Sequence, residues 1–277
     1  MGQQIINSLN NALSMWNEKF SEIYTLIVTA PEDFRGGGIW TVIVGVYQAM
    51  RGIGIALLVL FFFAGIVKTY GSFAEIRRPE IAFQLLIRFV LAKVVVTNAL
   101  GLMQQFIGIG SGLVTSIMSA SGFAAEEALV LPEEISAAAE GIGIIAGLGA
   151  WLLSFVCLLV VTVLSFFMLL TVYARFFKIY IMTALAPIPL AGFAGQPTTS
   201  MGVSFVRSYA AVLLEGAVIV LACVIYSAYA SSAPAIDPSA SAQSMIFTYM
   251  GQLIFNMLVL VGTIRLADTL VQKMIGI

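Results

Sequence analysis

Over residues 1–30, Ile5, Leu9, Leu13, Trp16, Phe20, Ile23, Tyr24 and Ile27 recur every three or four positions, and Gln3, Asn7, Asn10, Asn11, Asn17, Glu18 and Glu22 fill the gaps. This spacing predicts a helix with one apolar stripe and an uncharged-to-acidic polar face. Such a helix is too polar to span a bilayer and suits the interface plane or the surface of a partner. No basic start precedes a continuous apolar run and no small-residue cleavage site follows, so a secretory signal is not expected. Pro31 and the run Gly36-Gly37-Gly38 end the helix and form a joint, setting residues 1–38 apart from a hydrophobic remainder, 39–277.

From residue 39 the pattern changes to long apolar runs, each near or above the ~20 residues that a hydrocarbon core requires. Spans are expected over about 39–70, 81–118, 143–173, 208–230 and 245–264. The first contains Gln48 and Arg51, with Arg51 expected to snorkel to a headgroup surface. The second contains Arg88 and Lys93, and the fourth contains Glu215. Residues 179–206 are apolar only over a short stretch, are interrupted by Pro187 and Pro189, and then turn polar at Gln196, Pro197, Thr198, Thr199 and Ser200. A segment this short and broken reads as re-entrant or interfacial. The expected fold is all-α: a polytopic integral membrane protein with an N-terminal amphipathic helix, five transmembrane helices and one re-entrant or interfacial helical hairpin.

Charge sets the direction of threading. With residues 179–206 returning to the side they leave, one side carries Lys68, Arg77, Arg78, Arg88, Lys93, Arg175, Lys178, Arg207, Arg265 and Lys273, leaving Lys19, Arg35 and Arg51 opposite. The side poor in cations collects Glu18, Glu22, Glu32, Asp33, Glu126, Glu127, Glu133, Glu134, Glu140 and Asp237. The positive-inside rule makes the basic side cytoplasmic. The N-terminus is then outside the membrane and the C-terminus inside. Trp16, Trp40, Tyr70, Tyr173, Phe176, Phe177 and Tyr180 fall near span ends and are expected as interfacial anchors.

Composition agrees and narrows the chemistry. Of the 277 residues, 60% are hydrophobic and 10% charged, with a mean hydropathy of +1.03. A soluble domain carries roughly a quarter charged residues. There is no histidine, which removes the usual general base and the commonest zinc ligand. Cys157 and Cys223 lie in separate apolar runs, and read as small helix fillers rather than a disulfide framework or metal site. The net charge of −1 shows no basic stripe for nucleic acid. Neither an enzyme nor a bound cofactor is expected.

Three constellations remain. Glu215 lies about seven residues into its span, roughly 10 Å deep, where an unpaired carboxylate is costly. Lys93 and Arg88, entering from the same side, reach similar depth, so the expected pairing of Glu215 is with Lys93 or Arg88. That pair is either a tie between two spans or part of a polar lining or proton site. Gly108 with Gly112, and Gly143 with Gly147, have the spacing that lets helices approach closely, within one chain or between subunits. Arg77, Arg78, Arg175, Lys178 and Arg207 are the expected cytoplasmic-face contacts to lipid headgroups or an ATPase.

A secondary transporter usually shows two related halves with broken helices in corresponding places. Here one broken segment is evident and five spans do not divide evenly. An ion channel needs a filter or charged ring, and none is evident. A scaffold subunit of a larger membrane machine needs only an apolar bundle, a docking helix, small-residue faces and short loops. The alternative kept beside it is a small-solute secondary transporter or channel of the bacterial inner membrane.

Val94-Val95-Val96-Thr97-Asn98-Ala99-Leu100 follows a basic start to a span. Lys178-Ile179-Tyr180-Ile181-Met182-Thr183-Ala184-Leu185-Ala186-Pro187-Ile188-Pro189 precedes a small-residue turn and Ser208-Tyr209-Ala210-Ala211. Together these resemble the TrbL-like polytopic membrane proteins of conjugative type IV secretion systems, in the compact form found on integrative elements of Gram-positive bacteria. The resemblance covers about residues 38–270. It implies a bacterial cell-membrane subunit of the DNA-transfer channel or its assembly platform. The partners it implies are a bitopic platform protein, the secretion ATPase, the coupling ATPase and further copies of the chain. Relaxase-bound single-stranded DNA would be passed along, without sequence-specific binding.

Overall fold

The computed structural model describes residues 1–70, 79–121, 129–230 and 240–277. Its regular elements are helices: α1 (Gly2–Val28), α2 (Gly38–Tyr70), α3 (Pro79–Thr97), α4 (Ala99–Ser121), α5 (Glu133–Glu140), α6 (Ile144–Leu185), the short α7 (Pro187–Leu190), α8 (Thr199–Ala230) and α9 (Ala242–Ile275). No strand occurs among the described residues. Five stretches there are long and apolar enough to cross a membrane: Phe34–Lys68, Ala99–Ser121, Ile144–Leu185, Gln196–Tyr229 and Ala242–Ile275. Large apolar side chains such as Leu60, Phe63, Phe166, Leu170 and Phe255 point outward from these helices, as a lipid solvent demands. The chain is an all-α polytopic membrane protein.

The helices pack as two compact units. The first comprises Met1–Val28, Val114–Tyr173 and Val218–Ala267. Here α1 buries the stripe read from its periodicity, including Ile5, Leu9, Leu13, Trp16, Ile23 and Ile27. That stripe meets the chain itself, which corrects the expectation of an outer-leaflet or partner surface. Trp16 and Phe20 lie 6.1 and 6.2 Å, ring to ring, from Tyr226 of α8. Gly2 sits so close to the Ala139 carbonyl of α5 that a Cβ would collide with it. The Asn17 side chain donates to the Leu129 carbonyl at 2.9 Å and accepts the Leu129 N–H at 3.0 Å. On the outer face Lys19 pairs with Glu18 and Glu22 at 2.9 and 3.0 Å, which holds its ammonium above the usual lysine pKa. Within α6 the buried Ser154 and Ser165 hydroxyls donate back to the Trp151 and Val161 carbonyls, so neither is left unsatisfied in apolar surroundings. Cys157 and Cys223 are buried free thiols.

The second unit comprises Thr29–Leu113, Ala174–Ala217 and Asp268–Ile277. It shows why residues 81–118, expected as one span, form two helices. Asn98 keeps helical bonds to Val94 and Leu102, and its amide also donates to the Val94 carbonyl at 2.9 Å. Two residues on, the Leu100 N–H is given to the Tyr47 hydroxyl of α2 at 3.1 Å. A side chain inserted into the ladder in this way bends a helix.

The broken segment is also shorter than expected, because α6 continues through residues 179–185 before α7 and the 3₁₀ turns Ala191–Ala194 and Gln196–Thr198. Pro187 can open α7 because a first-turn residue needs no donor. The hairpin backbone packs on α2, where Gly54 meets Pro187 and Gly65 meets Gly195 too closely for a Cβ at either glycine. Gly54, Leu58, Phe61 and Gly65 share one face of α2, so the bed for the hairpin is built by helical spacing. Irregular backbone is tolerated in a membrane protein where neighbouring elements bury it.

The joint between α1 and α2 has positive φ at Arg35, Gly36 and Gly37. Here Phe34 stacks on Phe176 at 4.5 Å, Trp40 lies 6.3 Å from Tyr180, and Tyr180 donates to the Pro31 carbonyl at 2.8 Å. Residues 31–40 and 176–180 are therefore neighbours, although the charge pattern sets them on opposite membrane sides. Helix length is the reason. At 42 residues α6 is about 63 Å long, twice a ~30 Å hydrocarbon core, so the end of an apolar run need not mark the membrane surface. Trp16, Phe176 and Tyr180, expected as interfacial anchors, are buried against their own chain. Tyr70 has a side chain outside the described residues.

Candidate functional site

Three helices of the second unit bring charged side chains together. Lys178 comes from α6, Glu215 from α8, and Asp268 from α9. The Lys178 ammonium lies 3.3 Å from a Glu215 carboxylate oxygen and 3.1 Å from one of Asp268. Glu215 is only 2% exposed, whereas Lys178 and Asp268 are 38% and 37% exposed. One cation thus neutralises a deep carboxylate on one side and reaches a half-open one on the other. Arg175, a turn earlier on α6, is buried, and its guanidinium lies against Gly216, where a Cβ would collide with it. Its Nε and Nη1 donate to no acceptor among the described residues, and the group lies 5.8 Å over the Phe176 ring. Nearby on the same two helices, the Thr183 and Tyr209 hydroxyls share a buried hydrogen bond of 2.9 Å.

The cluster borders a cavity of about 360 Å³ lined by Lys178, Met182, Ser208, Asp268, Gln272 and Ile277. Two cations and two carboxylates make the group electrically balanced, so it holds helices together and offers a polar wall without a net attraction for anions or cations. The described residues contain no group of three or more His, Cys, Asp or Glu side chains that could hold a metal ion.

The expected partner of Glu215 is corrected by this geometry. Neither Lys93 nor Arg88 pairs with it. Arg88 lines a separate groove beside Phe193 and Thr199, and Lys93 is exposed. The continuous α6 carries Lys178 alongside α8, and sequence spacing alone cannot tell which neighbouring helix supplies the counter-charge. Arg175 and Lys178 sit in the cluster, Arg207 is exposed, and Arg77 and Arg78 lie outside the described residues.

The glycines divide as well. Gly108, Gly112 and Gly143 have open space where a Cβ would stand, while Gly147 is crowded by Ile142 and Met1. Close approach within the chain uses Gly54, Gly65, Gly110 and Gly216 instead. Gly216 had a readable signal, since a Cβ-free residue directly after a buried acid leaves room for a large cation. Asp268 had little, being one acid near the polar end of a helix.

Side-chain charge divides unevenly among the described residues. The second unit holds Arg35, Arg51, Lys68, Arg88, Lys93, Arg175, Lys178, Arg207 and Lys273 against Glu32, Asp33, Glu80, Glu215 and Asp268, a net of +4. The first holds Lys19 and Arg265 against Glu18, Glu22, Glu133, Glu134 and Glu140, a net of −3.

A family model described as TrbL/VirB6 plasmid conjugal transfer like protein matches residues 16–187, more than half of the chain. The match includes Arg175 and Lys178 and stops short of Glu215 and Asp268. No curated protein and no solved structure matches.

Proposed function

Because the chain belongs to the TrbL/VirB6 plasmid conjugal transfer-like family, we propose that it is a channel and assembly-platform subunit that helps relaxase-bound single-stranded DNA across the bacterial cell membrane. Family membership makes it a membrane subunit of a conjugal-transfer apparatus related to type IV secretion, working with other subunits of that apparatus. The family match is the observation that carries the reading, and the five apolar helices supply the membrane setting it requires. The chain acts as scaffold and performs no catalysis. Its partners are further copies of itself, a bitopic platform protein, the secretion ATPase and the coupling ATPase.

The N-terminal helix lies outside and Ile277 inside. The division of basic and acidic residues along the sequence supports this orientation, with Arg175, Lys178, Arg207, Arg265 and Lys273 on the side of the C-terminus. Arg77, Arg78 and Arg207 are cytoplasmic-face contacts, and the Lys178 cluster ties α6, α8 and α9 together beside the hairpin of Pro187 and Pro189. Among the described residues no membrane span presents a continuous polar stripe, so the DNA path runs between subunits, where the open faces at Gly108, Gly112 and Gly143 allow close approach.

Formaldehyde cross-linking during mating, followed by recovery of the chain, tests the DNA-passage role. Transferring-strand DNA is expected with the chain when both ATPases are active, and absent when the coupling ATPase is disabled. Equal recovery of DNA in the two cases, or none in either, overturns it.

A further inference from the structure

A groove in the second unit lies between α3 and the segment that joins the hairpin to α8. It has a volume of about 490 Å³ and is lined by Gln84, Arg88, Leu91, Val95, Phe193 and Thr199 among others. Its chemistry is graded. Gln84 stands in the second turn of α3 and Arg88 at its middle, and Leu91 and Val95 continue the same helix face toward its end. From Gln84 to Val95 the face is about 16 Å long at 1.5 Å per residue, close to the ~15 Å depth of one hydrocarbon leaflet.

Arg88 forms no ion pair or hydrogen bond with any described residue, although it is half-buried. An arginine is always charged, and its planar fork fits a phosphate. Thr199 opens the 32-residue α8, whose amide dipoles also favour negative charge at that end. The surrounding α3 surface exposes Phe83, Leu86, Ile87, Val90 and Val94. In a membrane protein such a surface faces lipid, so an occupant must satisfy a cation at one end and apolar walls along the rest.

We infer that this groove binds one anionic phospholipid, with its phosphate on Arg88 and Gln84 and an acyl chain along Leu91, Val95 and Phe193. Zwitterionic lipid carries its own ammonium and gains less from an unpaired arginine. Free phosphate could meet Arg88 but would leave the apolar length empty.

The test uses the full chain in nanodiscs of phosphatidylcholine with or without one-fifth phosphatidylglycerol, reading retained lipid by native mass spectrometry and thermal unfolding by tryptophan fluorescence. The wild-type chain should retain phosphatidylglycerol about tenfold better than phosphatidylcholine, in keeping with a charge-assisted bond. Arg88→Gln should abolish that preference, and Lys273→Gln, at an exposed cation outside the groove, should keep it. Val95→Trp fills the apolar end and should lower phosphatidylglycerol retention with Arg88 intact, which serves as the independent variant if Arg88→Gln misfolds. Inorganic phosphate should not raise the unfolding temperature. Preference surviving in Arg88→Gln, full retention in Val95→Trp, or equal protection by inorganic phosphate would each overturn the inference.

Discussion

Lys178 stands between two carboxylates, so removing it should cost more than removing the pair it completes. Lys178→Met leaves Glu215 deeply buried without its salt-bridge partner, a change that costs about 3 kcal/mol when a buried pair is broken from one side. The double variant Lys178→Met with Glu215→Leu takes away both charges and should recover most of that loss. Thermal unfolding of the purified chain in lipid nanodiscs measures both, and equal losses would show that the pair carries no coupling. Gly216→Ala places a methyl group against the Arg175 guanidinium. Overpacking of this kind costs about 1–3 kcal/mol, and the loss should shrink when Arg175 is shortened to Met in the same chain. At this scale the sequence told which residue was expensive and not which residue answered it. Depth follows from position along one helix. Partnership depends on how helices are laid side by side, and the intervals between Glu215, Lys178 and Asp268 carry no such signal.

The bend between α3 and α4 depends on a hydroxyl from α2. Tyr47→Phe keeps the ring and removes the acceptor of the Leu100 N–H, leaving a buried donor unsatisfied at a cost of about 1–3 kcal/mol. Amide hydrogen exchange at Leu100 should then accelerate while that at Met103, one turn on, changes little. For α1, Trp16→Ala removes the largest buried ring of its stripe, worth about 3–5 kcal/mol in a packed core. Limited proteolysis of the variant should cut within α1 well before the wild type is cut, and unchanged resistance would mean that the stripe is not held by α5 and α8. Most elements were legible. The amphipathic period of α1 predicted both its extent and the face it buries, and the apolar runs marked the five long helices. Two things were not. The Asn98 bend arises from a tyrosine about fifty positions away, and the true end of α6 lay beyond Lys178 because a helix continues through charged residues whenever neighbouring helices neutralise them.

For the whole molecule, composition decided the solvent, and the segment Val94–Leu100 with the proline-bearing segment Lys178–Pro189 carried the family resemblance that the match over residues 16–187 bears out. Residues 31–40 and 176–180, which the charge pattern sets apart, lie side by side, because α6 is about twice one hydrocarbon thickness and an apolar run need not end at the membrane surface. Charge segregation survives in another form, as a basic and an acidic unit. The central claim, that this chain is an indispensable membrane subunit of a DNA-transfer apparatus, is tested most directly by deleting its gene in frame in the donor and counting transconjugants. The account predicts that transfer falls by orders of magnitude, that the relaxase still nicks its origin, and that the gene supplied in trans restores transfer. Undiminished transfer from the deletion strain would contradict it.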